Sequence, residues 1–383
     1  LPGGNWGYIH FPVTSRYART LNKEFLGMTG KFHTVWGDFH SYKNLHSLEY
    51  ECFISMAMGG KCSIGDQMYP TGEIDVATYD LIGKVYKQVE EKEPWCKDSV
   101  PVTEIAVITP EAIDPNASSS SQILTSIKGV LRMLQESKKQ FNIIDFDQDF
   151  ADYQLVILPD EIILSSEQAE KIRNYLENGG KVLASFNSGM NLDKSEFIIP
   201  LGVEKTSDGP VDNEGDYAVG KIYKKNDYAE YIRPEDNEIG EGLTPVEHVM
   251  YIKGIPVKST DGSMVKANTI RSYFDRSYKH FCSHLHTPSS GEVSHPAIVE
   301  TKNSLYFSHP ICTQYAHNAP SWCKTFFNNA VNSLLDNELI KMKAPSTVIC
   351  TINQQNDNYI LHLLHYIPEK RGENFEVIED VIP

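Results

Sequence analysis

The chain has 383 residues, 40% of them hydrophobic and 22% charged, and a formal net charge of −16. This is the composition of a globular protein of two or three domains, at roughly 150 residues per domain, and it excludes a disordered chain. The acidic balance argues against a nucleic-acid partner, which needs clustered Lys and Arg, and no apolar run reaches the roughly 20 residues of a membrane span.

Residues 1–98 form the first predicted segment. Trp6, Tyr8 and His10 stand at alternate positions and share one face if the backbone is extended. Residues 31–40 (KFHTVWGDFH) and 61–70 (KCSIGDQMYP) read as strand-like runs, each ending in a carboxylate among aromatics. Between them Leu45, Leu48, Cys52, Ile54 and Met56 follow a helical spacing that Gly59-Gly60 stops, with Glu49 and Glu51 expected on the solvated face. Strand, crossover helix and parallel strand, polar at the carboxyl ends, is the unit from which an α/β barrel builds its active face. Trp36, His33, Asp38, Asp66 and Tyr69 are the residue types that hold a sugar: flat faces for stacking, carboxylates for hydroxyls or for chemistry. Asp75 is placed to cap a further helix carrying Tyr79, Ile82, Gly83, Tyr86 and Val89, which ends at Glu93-Pro94-Trp95-Cys96. A closed barrel takes roughly 200 residues or more, so this segment does not close one alone.

Residues 102–340 begin with alternating strands and helices. Continuous apolar runs at 105–109, 141–144, 155–159 and 181–186 read as strands, and 122–139 and the stretch from Ser166 to Gly179-Gly180 as helices, with a serine loop at 118–121. Such alternation specifies a parallel sheet covered on both faces. Beyond about 206 the pattern loosens, until residues 297–300 and 304–307 predict a hairpin and 321–335 a helix returning to the same sheet. Cys282, His284 and His286 would share a face if extended, but spacing supplies no fourth ligand, so no metal is assigned. The turn Asn187-Ser188-Gly189 lacks a nucleophilic Cys, and no GxGxxG opens the first helix, so this region reads as a catalytically silent scaffold without a cofactor.

Residues 345–383 predict an incomplete small β-sandwich domain: 347–352 and 359–365 alternate around Asn356-Asp357-Asn358. The seven cysteines show no CxxC pair and read as reduced, largely buried thiols. Leu1 is not an initiator Met and 381–383 is strand-like, so both ends are expected to be cut. The missing signal peptide therefore leaves cytoplasm and bacterial periplasm both open.

The motifs resemble a known family. Leu1-Pro2-Gly3-Gly4-Asn5-Trp6-Gly7-Tyr8, Thr29-Gly30-Lys31-Phe32-His33, Trp36-Gly37-Asp38-Phe39 and Gly65-Asp66-Gln67-Met68-Tyr69-Pro70 resemble the end of a glycosidase barrel, and Glu93-Pro94-Trp95-Cys96 its close. The family is the hypothetical glycosyl hydrolases related to bacterial α-L-fucosidases of glycoside hydrolase family 151. The following region resembles the β-galactosidase trimerisation domain of family 42, a flavodoxin-like or amidotransferase-like module. His284-Leu285-His286-Thr287-Pro288 and Tyr306-Phe307-Ser308-His309-Pro310 are similar to motifs late in that module.

The resemblance implies a retaining, exo-acting glycoside hydrolase of the α-L-fucosidase kind, working as a homotrimer on terminal sugars. The first five or so strands of the barrel have no counterpart here, nor does the catalytic carboxylate of the fourth strand. Asp38 is the candidate for the second carboxylate, where related sequences often carry Glu. His33, Trp36, Asp66, Trp6, Tyr8, His10 and Tyr69 are the candidate sugar-binding residues. The alternative is a silent carbohydrate-binding or oligomerisation protein derived from such an enzyme.

Overall fold

The computed structural model describes residues 6–114, 124–207, 215–218, 221–224, 228–373 and 375–382. The first five residues of the opening motif, the serine loop at 118–121 and the start of the helix expected at 122–139 lie outside them. The chain divides into two units: residues 1–103, 134–143 and 339–383 form the first, and 104–133 with 144–338 the second.

The first unit opens with α1 (His10–Ala18), β1 (Leu26–Gly30), α2 (Leu45–Ala57), β2 (Lys61–Gly65), α3 (Val76–Lys92) and β3 (Val100–Pro101). β1 and β2 are parallel, Leu26 facing Lys61 and Gly30 facing Gly65, with α2 as the crossover. The strand expected at 31–40 is a loop; the strand lies just upstream and ends at Gly30. The chain turns through positive φ at Gly37 (+83°) and His40 (+61°), which a strand cannot accommodate. The other run behaves as expected over Lys61–Gly65 and then becomes a loop. Asn44 caps α2, accepting from the Ser47 N–H at 2.8 Å, and Asp75 caps α3 through the Ala77 N–H at 3.1 Å. Every residue of α2 from Ser47 to Ala57 is buried. Glu49 and Glu51 are therefore inside the unit, not on a solvated face, because α2 is covered on all sides.

The chain then runs through β4 (Ile105–Ile108), α4 (Thr125–Glu136), β5 (Phe141–Ile144), β6 (Leu155–Leu158), α5 (Ser166–Glu177) and β7 (Lys181–Ser185), all in the second unit except residues 134–143 at the end of α4 and in β5, which group with the first. It continues as β8 (Val203–Lys205), β9 (Gly215–Ala218), β10 (Lys221–Lys224), β11 (Glu230–Pro234), β12 (His248–Met250) and β13 (Val257–Ser259). Last come β14 (Met264–Ser272), β15 (Ser289–Glu300), β16 (Ser304–Phe307), α6 (Ile311–Asn318) and α7 (Ser321–Leu334). One nine-stranded sheet carries the order β12-β11-β14-β15-β16-β7-β6-β4-β5. Its β5-β4-β6-β7-β16 half has the 2-1-3-4-5 order of a doubly wound sheet, with β4–β6, β6–β7 and β7–β16 parallel. β4, β6 and β16 are buried at every residue; the first two are unbroken apolar sequences, and in β16 the Ser304 hydroxyl donates to Pro200 O at 3.0 Å. Ser165 and Gln168 form a reciprocal capping box at the start of α5. The expected hairpin and late helix do return to this sheet through β16 and α7.

Residues 339–383 add β17 (Val348–Gln355), β18 (Asn358–His365), β19 (Glu369–Lys370) and β20 (Glu376–Val377) to the first unit. β17 and β18 form the expected hairpin, turning at Asn356, and β3 pairs along β17. Ile349, Leu364 and Ile378 join Tyr8, Phe11, Leu48, Ile54 and Val85 in one apolar core.

Candidate sugar site

The loops that follow β1 and β2 leave the carboxyl ends of two parallel strands, so they begin side by side. The Lys31 N–H donates to Gly65 O at 3.0 Å, and the Lys43 N–H closes the first loop on Lys31 O at 2.8 Å. Within that loop Trp36 packs edge-on to Phe32, ring centroids 5.3 Å apart, and its Nε1 donates to Gln67 Oε1 at 3.4 Å. Half of the Trp36 surface remains exposed (50%), an available flat face. Thr34 Oγ1 donates to Asp38 Oδ2 at 2.5 Å. The Thr34 and Ser41 hydroxyls hold the Asp38 carboxyl below the usual carboxylate range, which favours its ionised form.

The second loop carries Asp66 and Tyr69. Asp66 is largely buried, its Oδ1 3.9 Å from Lys31 Nζ. Lys31, only 2% exposed, lies over two aromatic rings, 4.8 Å from the Phe32 centroid and 4.4 Å from that of Tyr42. Tyr69 stacks on Phe39 at 6.0 Å and lies 5.8 Å from the His40 ring. Tyr42 hydrogen-bonds Asp75, which raises the phenol and lowers the carboxyl.

A buried charge network supports the first loop. Glu51, 1% exposed, accepts from Lys43 Nζ at 2.8 Å, Thr29 Oγ1 at 2.5 Å and Tyr8 OH at 3.1 Å, and Lys43 also reaches Thr29. Burial pushes the Glu51 carboxyl up, while Lys43, Thr29 and Tyr8 pull it down. Glu49, the second buried carboxylate of α2, accepts from Gln88 Nε2 at 2.5 Å and lies 2.8 Å from His46 Nδ1.

Next to this network lies a cavity of about 150 Å³, lined by residues that include Tyr8, His33, Tyr42, Lys43, Phe375 and Glu376. His33 stacks on Phe375 at 5.6 Å, and the Tyr8 N–H donates to Glu376 Oε2 at 2.9 Å.

The structure thus brings Tyr8 and His33 into one hollow and joins Trp36, Asp66 and Tyr69 through adjacent loops. Trp6, Tyr8 and His10 do not share an extended face. They enter α1 through a turn, which buries Tyr8 against Glu51 and packs Trp6 edge-on to His10 at 4.9 Å. Cys282, His284 and His286 lie on a bent loop rather than a strand, where Cys282 Sγ donates to His284 O at 2.8 Å. Among the described residues no cluster of metal-ligating side chains forms. Lys31, Tyr42, Lys43, Glu51, Phe375 and Glu376 were not singled out from sequence. The legible signal was a pair of carboxylates, Glu49 and Glu51, in a helix whose later turns are almost wholly apolar.

Residues 118–202 match the family described as β-galactosidase trimerisation domain. The chain is similar to α-L-fucosidase isoenzyme 2 from Paenibacillus thiaminolyticus, with TM-score 0.89 and 37% identity over 100% of this chain and 56% of that one. It shares its fold with the β-galactosidase from Bacillus circulans sp. alkalophilus at TM-score 0.68 and 12% identity, covering 96% of this chain and 54% of that one. The cold-adapted β-galactosidase from Rahnella sp. R3 gives TM-score 0.65 and 15% identity, covering 93% and 52%. The chain spans about half the length of these solved relatives. No curated protein matches the sequence. The resemblance to a fucosidase-related glycosidase followed by a trimerisation module therefore holds.

Proposed function

We propose that the chain serves in a retaining, exo-acting glycoside hydrolase of the α-L-fucosidase kind, where it supplies the part of the site that holds the terminal sugar. The observation that carries this reading is the half-exposed Trp36 on the first of two carboxylate-bearing loops at the carboxyl ends of the parallel β1–β2 pair, reaching across to the second through Gln67. Likeness to an α-L-fucosidase along the whole chain supports fucose over galactose as the glycone.

In this reading the Trp36 face stacks on the apolar side of the sugar ring, while Asp66 and His33 take its hydroxyls. Asp38, kept ionised by Thr34 and Ser41, has the state a nucleophile needs. Double displacement places a second carboxyl group about 5 Å away as acid and base. Two parallel strands do not make a closed ring, so these 383 residues alone are expected to bind the sugar without turning it over. The module at 118–202 supports assembly as a homotrimer.

The test offers the chain L-fucose, D-galactose and the nitrophenyl glycosides of both. Saturable binding that prefers L-fucose and weakens in Asp66→Asn, without release of nitrophenol, supports the reading. A preference for galactose, or hydrolysis by the chain alone, contradicts it.

A further inference from the structure

Two thiols of the first unit lie where a helix packs on a strand, Cys52 on α2 and Cys62 on β2, and the sugar reading uses neither. Cys62 stands opposite Gly27 in the parallel β1–β2 register, so the two residues point to the same side of the pair. That side faces α2, because a β-carbon on Gly27 would stand 2.3 Å from Ser55 Oγ. Cys52 precedes Ser55 by three residues and lies on the same face of the helix, one turn away. The two sulfurs meet there, the Cys52 thiol donating a hydrogen bond to the Cys62 sulfur. Cys52 is fully buried, whereas Cys62 packs at the margin of the same apolar core and keeps part of its surface in solvent.

The pair is asymmetric. The hydrogen bond from Cys52 lowers the Cys62 thiol, against burial and the Glu93 carboxylate, which raise it. The same bond, together with burial, pushes the Cys52 thiol up. Burial also pushes up Cys312, Cys323 and Cys350, and holds Cys96, just past α3, at about 11. Cys282 is engaged with the His284 carbonyl instead of a second thiol. Thiolate character and access to solvent therefore coincide at Cys62, beside a protonated thiol that is sealed from solvent. An accessible thiol that ionises readily next to a resolving thiol is the arrangement that oxidation converts reversibly into a disulfide.

We propose that Cys62 and Cys52 form a peroxide-oxidisable pair, a reversible modification site with Cys62 as the attacking and Cys52 as the resolving sulfur. The Cys62 thiolate attacks one oxygen of hydrogen peroxide and the O–O bond breaks. Hydroxide leaves, takes up the proton that the thiol gave away, and Cys62 carries a sulfenic acid. The Cys52 sulfur then attacks the Cys62 sulfur, the S–O bond breaks, and the departing hydroxide leaves as water with the Cys52 proton. Two thiols and one peroxide give one disulfide and two waters; the sulfurs supply the two electrons that the peroxide accepts. The new bond ties the crossover helix to the strand that leads into the Asp66 loop. The inference depends on the packing of α2 on β2 and not on the sugar reading.

The experiment treats the whole, pre-reduced chain with hydrogen peroxide in the absence of denaturant and maps its unreduced peptides by tandem mass spectrometry. A Cys52–Cys62 cross-linked peptide is expected, two hydrogens lighter than its separate parts and released by dithiothreitol. Cys62 is expected to be consumed at least about tenfold faster than Cys96. In Cys52→Ser, Cys62 is expected to stop at the sulfenic acid, which dimedone traps, and in Cys62→Ser the Cys52 thiol is expected to stay reduced. Mapping of the native chain decides the question even where a variant fails to fold. A Cys62 that stays reduced while other cysteines oxidise, a Cys62–Cys96 bond in its place, or a cross-link that forms only in denaturant would overturn the proposal.

Discussion

Trp36 occupies the space that a side chain on Gly65 would need: a β-carbon there would stand 2.3 Å from the indole Cη2 and 2.6 Å from Cζ3. The loop after β1 thereby rests directly on the last residue of β2, and the glycine permits the approach. Gly65→Ala is expected to push Trp36 off its seat and weaken sugar binding at least about tenfold. Tryptophan fluorescence titration with L-fucose measures this, and wild-type affinity in Gly65→Ala would contradict the assigned role of the ring.

Lys43 and Glu51 hold the end of that loop onto α2. Replacing one member of a buried ion pair strands the other, at a cost of about 3–5 kcal/mol. Glu51→Gln is expected to destabilise by about that amount, and the double change Glu51→Leu, Lys43→Met to recover part of it. Denaturant unfolding followed by circular dichroism checks both. A loss below about 1 kcal/mol in Glu51→Gln would place the pair with weak surface bridges.

Asp160 gives a pH dependence with a definite sign. Its buried carboxyl accepts from Ser185 Oγ at 2.7 Å and from the Thr313 N–H at 2.6 Å, and burial pushes it up to about 6. A carboxyl with a raised folded-state pKa contributes most below its unfolded value, near 4, and that contribution is lost as pH rises through about 6. Between pH 5 and 7.5 the stability of the wild type relative to Asp160→Asn is therefore expected to fall by roughly 1–2 kcal/mol. Unfolding curves of both proteins at the two pH values measure it. A difference that stays constant or grows would show that Asp160 is ionised throughout.

Much of the fold is local and therefore legible. Apolar runs mark β4, β6 and the Val182–Ala184 centre of β7, and side-chain caps at Asn44, Asp75 and Ser165 mark three helix starts. β1 was hidden because Leu26-Gly27-Met28-Thr29-Gly30 has two glycines and no alternation of polar and apolar residues, while the aromatic run beside it looked more strand-like. Glu51 was misplaced because a carboxylate on a helix ordinarily faces water; its burial is explained by Lys43, Thr29 and Tyr8, brought in by tertiary packing. The contributions of Phe375 and Glu376 depend on contacts such as Ser47 Oγ to Ile378 O at 2.8 Å, between residues 331 positions apart. No local pattern encodes these. Trp36 and Asp66 were readable as candidates because an indole and a carboxylate stand close after two strand-like runs, a pairing of residue types suited to a sugar.

The most direct test of the account is an L-fucose titration of the chain and of Trp36→Ala, observed by saturation-transfer NMR on the sugar. The account predicts saturable transfer to the ring protons of L-fucose with the native chain, and its loss when the indole is removed while the fold is retained. Transfer that is absent with the native chain, or undiminished in Trp36→Ala, would contradict the claim that these loops grip a monosaccharide.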